Sequence, residues 1–99
     1  MTRDDVLEAL HAVIDPEVGV DVVELGLVVD VRVEDGVARV DITMTRRASP
    51  LPEVLCEQAR HAVRAAGPDL RDAEVRLVWD PPWTPKRMSP LAKQLLGWR

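Results

Sequence analysis

A chain of 99 residues, 46% apolar and 30% charged, reads as one globular domain spanning residues 1–99. No apolar run approaches the roughly 20 residues that cross a bilayer, and the acidic start MTRDDVLEAL is unlike a signal peptide, so no membrane partner and a cytoplasmic location are expected. A net charge of −4 argues against a nucleic-acid partner, which calls for a basic face, and the lone Cys56 makes neither an internal disulfide nor a zinc site by itself.

The average charge hides an asymmetry. Residues 1–45 hold eleven acids and three bases, whereas residues 46–99 hold six acids and ten bases. Halves of opposite sign suit pairing in a homodimer or with a charged partner protein, and they equally suit two solvated faces that happen to differ.

Residues 4–14 place Val6, Leu7, Leu10, Val13 and Ile14 at helical spacing, with acids at the start favouring the positive end of the helix dipole. Pro16 ends this helix. From Leu27 the period becomes two, with Leu27, Val29, Val31 and Val33 on one face of a first strand. Asp35-Gly36 supplies a tight hairpin turn, and Val40, Ile42 and Met44 continue the alternation in a second strand, antiparallel to the first. Ser49-Pro50 reads as an N-cap and first-turn proline for a second helix, with its apolar stripe from Leu51 to about Ala66. Val75, Leu77 and Trp79 alternate in a third strand, and Ser89-Pro90 opens a short helix that Gly97 closes. The expected fold is α+β: a two-layer sandwich of helix, strand, strand, helix, strand and a short C-terminal helix. Its three-stranded mixed sheet carries helices on one face.

The second helix connects strands two and three as a crossover, so those strands run parallel and strand one runs against both. That topology gathers the end of strand two (45–49), the end of strand three (79–83) and the approach to strand one (24–27) on one edge, where ligands of such sheets tend to bind. The stretch LVWDPPWTPKRMSP at 77–90 concentrates two of the three tryptophans there. Its prolines stiffen the loop and keep it from extending the sheet, so Trp83 is either a held contact residue or a cap on a core that lacks other aromatics.

Three segments together, IDPEVGVDVVELGLVVDVRV at 14–33, TMTRRASP at 43–50 and VWDPPWTPKRMSPLAKQLLGW at 78–98, resemble the metal–sulfur cluster assembly family that includes the SufT and PaaD proteins. The likeness covers nearly the whole chain. It implies the fold derived above and an accessory, non-enzymatic role in iron–sulfur cluster assembly or metalloprotein maturation. The implied partners are a client apoprotein or other cluster-assembly proteins. The alternative is a non-cluster adaptor or subunit of an oxygenase-type complex.

The family's signature is a Cys-Pro pair at the start of the second helix, where the helix dipole lowers the thiol pKa and readies it for iron. Here Ser49-Pro50 stands in its place, and a serine hydroxyl, protonated near neutral pH, is a poor cluster ligand. No cofactor is certain, and a transient iron–sulfur cluster at Ser49 is the one the resemblance offers. Cys56, seven residues along the helix, is about 10 Å away and does not replace it. The expected partner-binding residues are Glu24, Arg46, Arg47, Ser49, Asp80, Trp83 and Met88.

Other candidates carry plainer alternatives. Asp15, Glu17, Glu24 and Asp80 at the shared edge suit a hard cation, though Asp15 before Pro16 is also an ordinary helix exit. Arg46 and Arg47 suit a carboxylate or phosphate, or a solvated loop. His11 and His61 read as surface residues, with no second metal ligand at helical spacing. Ser49 has no histidine obliged to be near it, so no nucleophile–base pair is legible.

Overall fold

The computed structural model describes residues 1–15, 19–44, 52–80 and 82–97. Helix α1 (Arg3–Leu10) starts at a reciprocal cap: the Thr2 hydroxyl accepts from the Asp5 N–H at 3.2 Å, and the Asp5 carboxylate accepts from the Thr2 N–H at 2.9 Å. It ends four residues before the expected Ile14. His11, Ala12 and Val13 each donate to the carbonyl three residues back, which tightens and closes the helix. The chain then runs extended beside its own return: Val22 N–H donates to the Val13 carbonyl and Asp15 N–H to that of Val20, both at 3.0 Å, and Ile14 bridges Asp21. Pro16, which disfavours helical geometry in the residue before it, explains the early exit. Val13 stays in the core, whereas Ile14 turns out to solvent.

Strands β1 (Val28–Glu34) and β2 (Val37–Ile42) pair antiparallel about a turn in which Asp35 and Gly36 both have positive φ, as that dipeptide predicts. Val31 faces Val40 and Val33 faces Ala38 on the buried side. The expected register slips once. Val28 sits opposite Ile42 while Asp30 sits opposite Asp41, so Val29 is the extra residue of a bulge, and Val28 packs on the core where Val29 was expected.

Helix α2 (Pro52–Ala66) connects β2 to β3 (Asp72–Leu77), which pairs parallel with β2 over all six residues; β2 is therefore the middle strand. Fifteen residues of helix are about 22 Å long, enough to return along the full length of β3. Arg60 and Arg64 fasten the two elements by binding the Asp72 carboxylate at 3.3 and 2.8 Å. Helices α1 and α2 lie side by side on one face of the sheet, and Val6, Leu10, Leu55, Ala59 and Val63 meet Val31, Val40 and Ile42 between the layers. The other face is polar. There Arg76 binds Asp41 at 3.1 Å and Arg39 binds Glu74 at 3.1 Å across adjacent strands.

Past β3 the chain makes one turn of 3-10 helix (Pro85–Arg87) and helix α3 (Pro90–Leu95), whose Ser89 cap accepts from the Ala92 N–H at 3.0 Å. The two-layer α+β sandwich with a mixed three-stranded sheet is thus as expected.

Candidate functional site

The topology brings the C-terminal ends of β2 and β3 and the entry to β1 to one rim. Thr43 N–H donates to the Leu27 carbonyl and Val78 N–H to that of Ile42, both at 2.8 Å, so the three strands are still joined where they reach it. The segment after β3 is then lashed across the approach to β1. The Trp83 indole N–H donates to the Leu25 carbonyl at 2.7 Å, Arg87 donates to the carbonyls of Gly26 and Val28 at 2.9 and 3.4 Å, and Ser89 N–H donates to that of Glu24 at 2.8 Å. Gly26 makes this approach possible: its φ is +75°, and any side chain there would collide with the Arg87 carbonyl.

The strap sorts the expected contact residues. Asp80 is exposed, and Trp83 and Glu24 are half-buried at the rim. Met88 is a correction. It is 4% exposed and belongs to the core, because the 3-10 turn points its side chain inward as an anchor, so it offers no contact surface. Trp79 is half-buried and packs on the core. Arg46, Arg47 and Ser49 lie outside the described residues, as does Glu17. Asp15 is buried, with its backbone bonded to Val20 and Gly19, which fits the helix-exit reading.

Three participants were not legible in the sequence. Asp21 Oδ1 accepts from the N–H groups of Val23 and Glu24 at 3.0 Å, holding the turn that carries Glu24. His11 Nδ1 lies 3.1 Å from that same oxygen and 4.0 Å from Glu24 Oε1, so His11 belongs to the rim and is not an isolated surface residue. Thr43 is fully buried at the end of β2, and its hydroxyl meets no hydrogen-bond partner among the described residues. A pairing of β-strand alternation with a loop contact fifty residues away leaves no periodic trace, which is why His11 and Arg87 escaped notice.

The donor set does not build a resident metal centre among the described residues, where no three His, Cys, Asp or Glu side chains gather in ligating range. Cys56 is half-buried on α2, and burial pushes its thiol pKa up, away from the thiolate that iron requires. The described rim is therefore a surface for recognition. A separate apolar groove of about 730 Å³ runs between the exit of α1 and α2, with His61 on its wall.

Comparison with known proteins agrees with this geometry. The family described as iron-sulfur cluster assembly protein matches residues 3–77. The Fe-S protein maturation auxiliary factor YitW of Bacillus subtilis is 43% identical over 96 residues, covering 96% of this chain and 93% of that protein. The auxiliary factor SufT of Staphylococcus aureus is 48% identical over 86 residues, covering 86% of this chain and 97% of its own. A crystal structure of a domain of unknown function from Bacillus anthracis superposes with a TM-score of 0.92 at 39% identity, covering 98% of this chain and 92% of that one. With its fold, its motifs and its relatives in accord, the chain belongs to the iron–sulfur cluster assembly protein family.

Proposed function

We propose that the protein is an accessory factor in iron–sulfur protein maturation that works in the cytoplasm by contact with client apoproteins or other assembly proteins, without catalysing a reaction itself. The relatives named as auxiliary factors support the role, and the strap supports the mode of action. Four hydrogen bonds to the backbone carbonyls of Glu24, Leu25, Gly26 and Val28 hold Trp83 and the neighbouring Asp80 at a fixed rim, so little conformational freedom is lost when a partner docks. Arg46, Arg47 and Ser49 join that rim in this reading, since α2 opens on the side where β2 ends. The cluster is cargo of the pathway and is held mainly by the partners.

Activation of a purified apo four-iron dehydratase by a cluster-loaded scaffold tests the role. The native chain should speed activation, and Asp80→Lys with Glu24→Lys should lower that effect at least several-fold, while Arg76→Ala on the far sheet face leaves it intact. No acceleration by the native chain, or equal loss in the Arg76 variant, would refute the reading. Anaerobic reconstitution with iron and sulfide tests the cargo assignment: Ser49→Cys should take up visible absorption that the native chain does not. Serine at 49 favours, as a second reading, an adaptor or subunit of an oxygenase-type complex with no cluster role. That reading predicts no acceleration in the dehydratase assay.

A further inference from the structure

Two apolar features lie outside the rim, and they are complementary in shape. Helix α3 packs Ala92 and Leu96 on the core but presents Leu91 and Leu95, one turn apart on the same face, at 51% and 64% exposure. That is a ridge. The groove between the α1 exit and α2 is lined by Ala12, Val13, Ile14 and Ala62, with Ile14 46% exposed and Glu57 at its margin. Ridge and groove also differ in charge. Residues 82–97 carry Lys86, Arg87 and Lys93 with no carboxylate, whereas the groove is built from the acidic half of the chain and the Glu53 and Glu57 turns of α2.

Both features flank one loop. Ser89, the cap of α3, is bonded to Glu24, and Ile14 is bridged to Asp21 three residues earlier. A ridge and a groove that are neighbours on one surface can meet the same pair on a second copy reciprocally, and a twofold axis between them closes the assembly at two.

We propose that the chain forms a homodimer in which the Leu91/Leu95 ridge of each copy seats in the Ile14/Ala62 groove of the other. The occupant is a second copy because the matching ridge, of the right size and of opposite charge, is on the page in this chain. The contact is independent of the maturation role and leaves Asp80 and Trp83 outside it.

Sedimentation velocity on the full chain, over about a hundredfold range of concentration, tests the proposal. The native protein should approach twice the monomer mass. Leu95→Glu and Ile14→Glu should each sediment as monomers, with unfolding midpoints near the native value because both side chains are exposed. Mixed together, the two variants should regain a dimer weaker than the native one, since the first keeps its groove and the second its ridge. Leu91→Gln and Gln58→Arg serve if either variant folds poorly. A monomer throughout the range overturns the proposal. So does a dimer lost in Leu95→Glu but kept in Ile14→Glu, which would place ridge against ridge, or a mixture that stays monomeric.

Discussion

The indole N–H of Trp83 reaches the carbonyl of Leu25 at 2.7 Å, joining positions 58 apart in the sequence and fixing the strap at the edge of the sheet. Trp83→Phe keeps most of the ring and loses the bond, so it should cost about 1 kcal/mol, and Trp83→Ala about 2–4 kcal/mol as packing is lost too. Urea midpoints of the two variants check the order. Equal costs would mean that the hydrogen bond contributes nothing.

Gly26 and Gly97 both have positive φ, yet they should respond differently to alanine. At Gly97 open space surrounds the new methyl group, and only the left-handed backbone cost of about 1–2 kcal/mol applies. At Gly26 the methyl meets the Arg87 carbonyl and the strap must move, so the loss should exceed that of Gly97→Ala by at least about 1–2 kcal/mol. Chemical denaturation of both variants in parallel decides it.

Thr43 buries a hydroxyl without a partner among the described residues. Thr43→Val replaces it with a methyl of similar shape, removing a desolvated polar group. The variant should be neutral or more stable by up to about 1 kcal/mol, read from thermal or urea unfolding. A marked loss would reveal a polar partner for the hydroxyl.

Acid should loosen the α2–β3 contact. The Ala73 N–H first, then Arg60 and Arg64, hold the Asp72 carboxyl below the usual carboxylate range. A depressed folded pKa gives stability that is fully present above the unfolded value near 3.9 and is lost as pH falls through the lower folded value. Asp72→Asn should therefore narrow the gap in urea midpoint between pH 5 and pH 3. An unchanged gap would remove Asp72 from the acid response.

Cys56 should alkylate slowly. Burial raises its thiol pKa, so at pH 7.5 iodoacetamide should modify it more slowly than an unhindered peptide thiol, and the rate should climb well into the alkaline range. Mass spectrometry over a pH series measures this. Fast modification at neutral pH would show a reactive thiolate.

The strand pattern was legible because alternation carries its own period. Val31, Val33, Val40 and Ile42 fall on the buried face as spacing alone requires, and the parallel crossover follows from chain order. Local chemistry was legible too, as at the Asp35-Gly36 turn and the Ser89 cap. What escaped depends on contacts distant in number. The bulge at Val29 shifts one pairing without altering composition, and Met88 in PKRMSP looks like loop until the 3-10 turn aims it inward. The Asp21–His11–Glu24 cluster needs the early end of α1, which the helical spacing of Val13 and Ile14 conceals.

The paired charges on the open side of the sheet give the molecule a front and a back. Arg39 with Glu74 and Arg76 with Asp41 neutralise one another across strands, so that side presents alternating sign with no sticky surface for a neighbouring sheet to stack upon. Association is thereby steered to the helical side and the rim. A protein that must meet and release many partners gains from having half of its exterior indifferent to all of them.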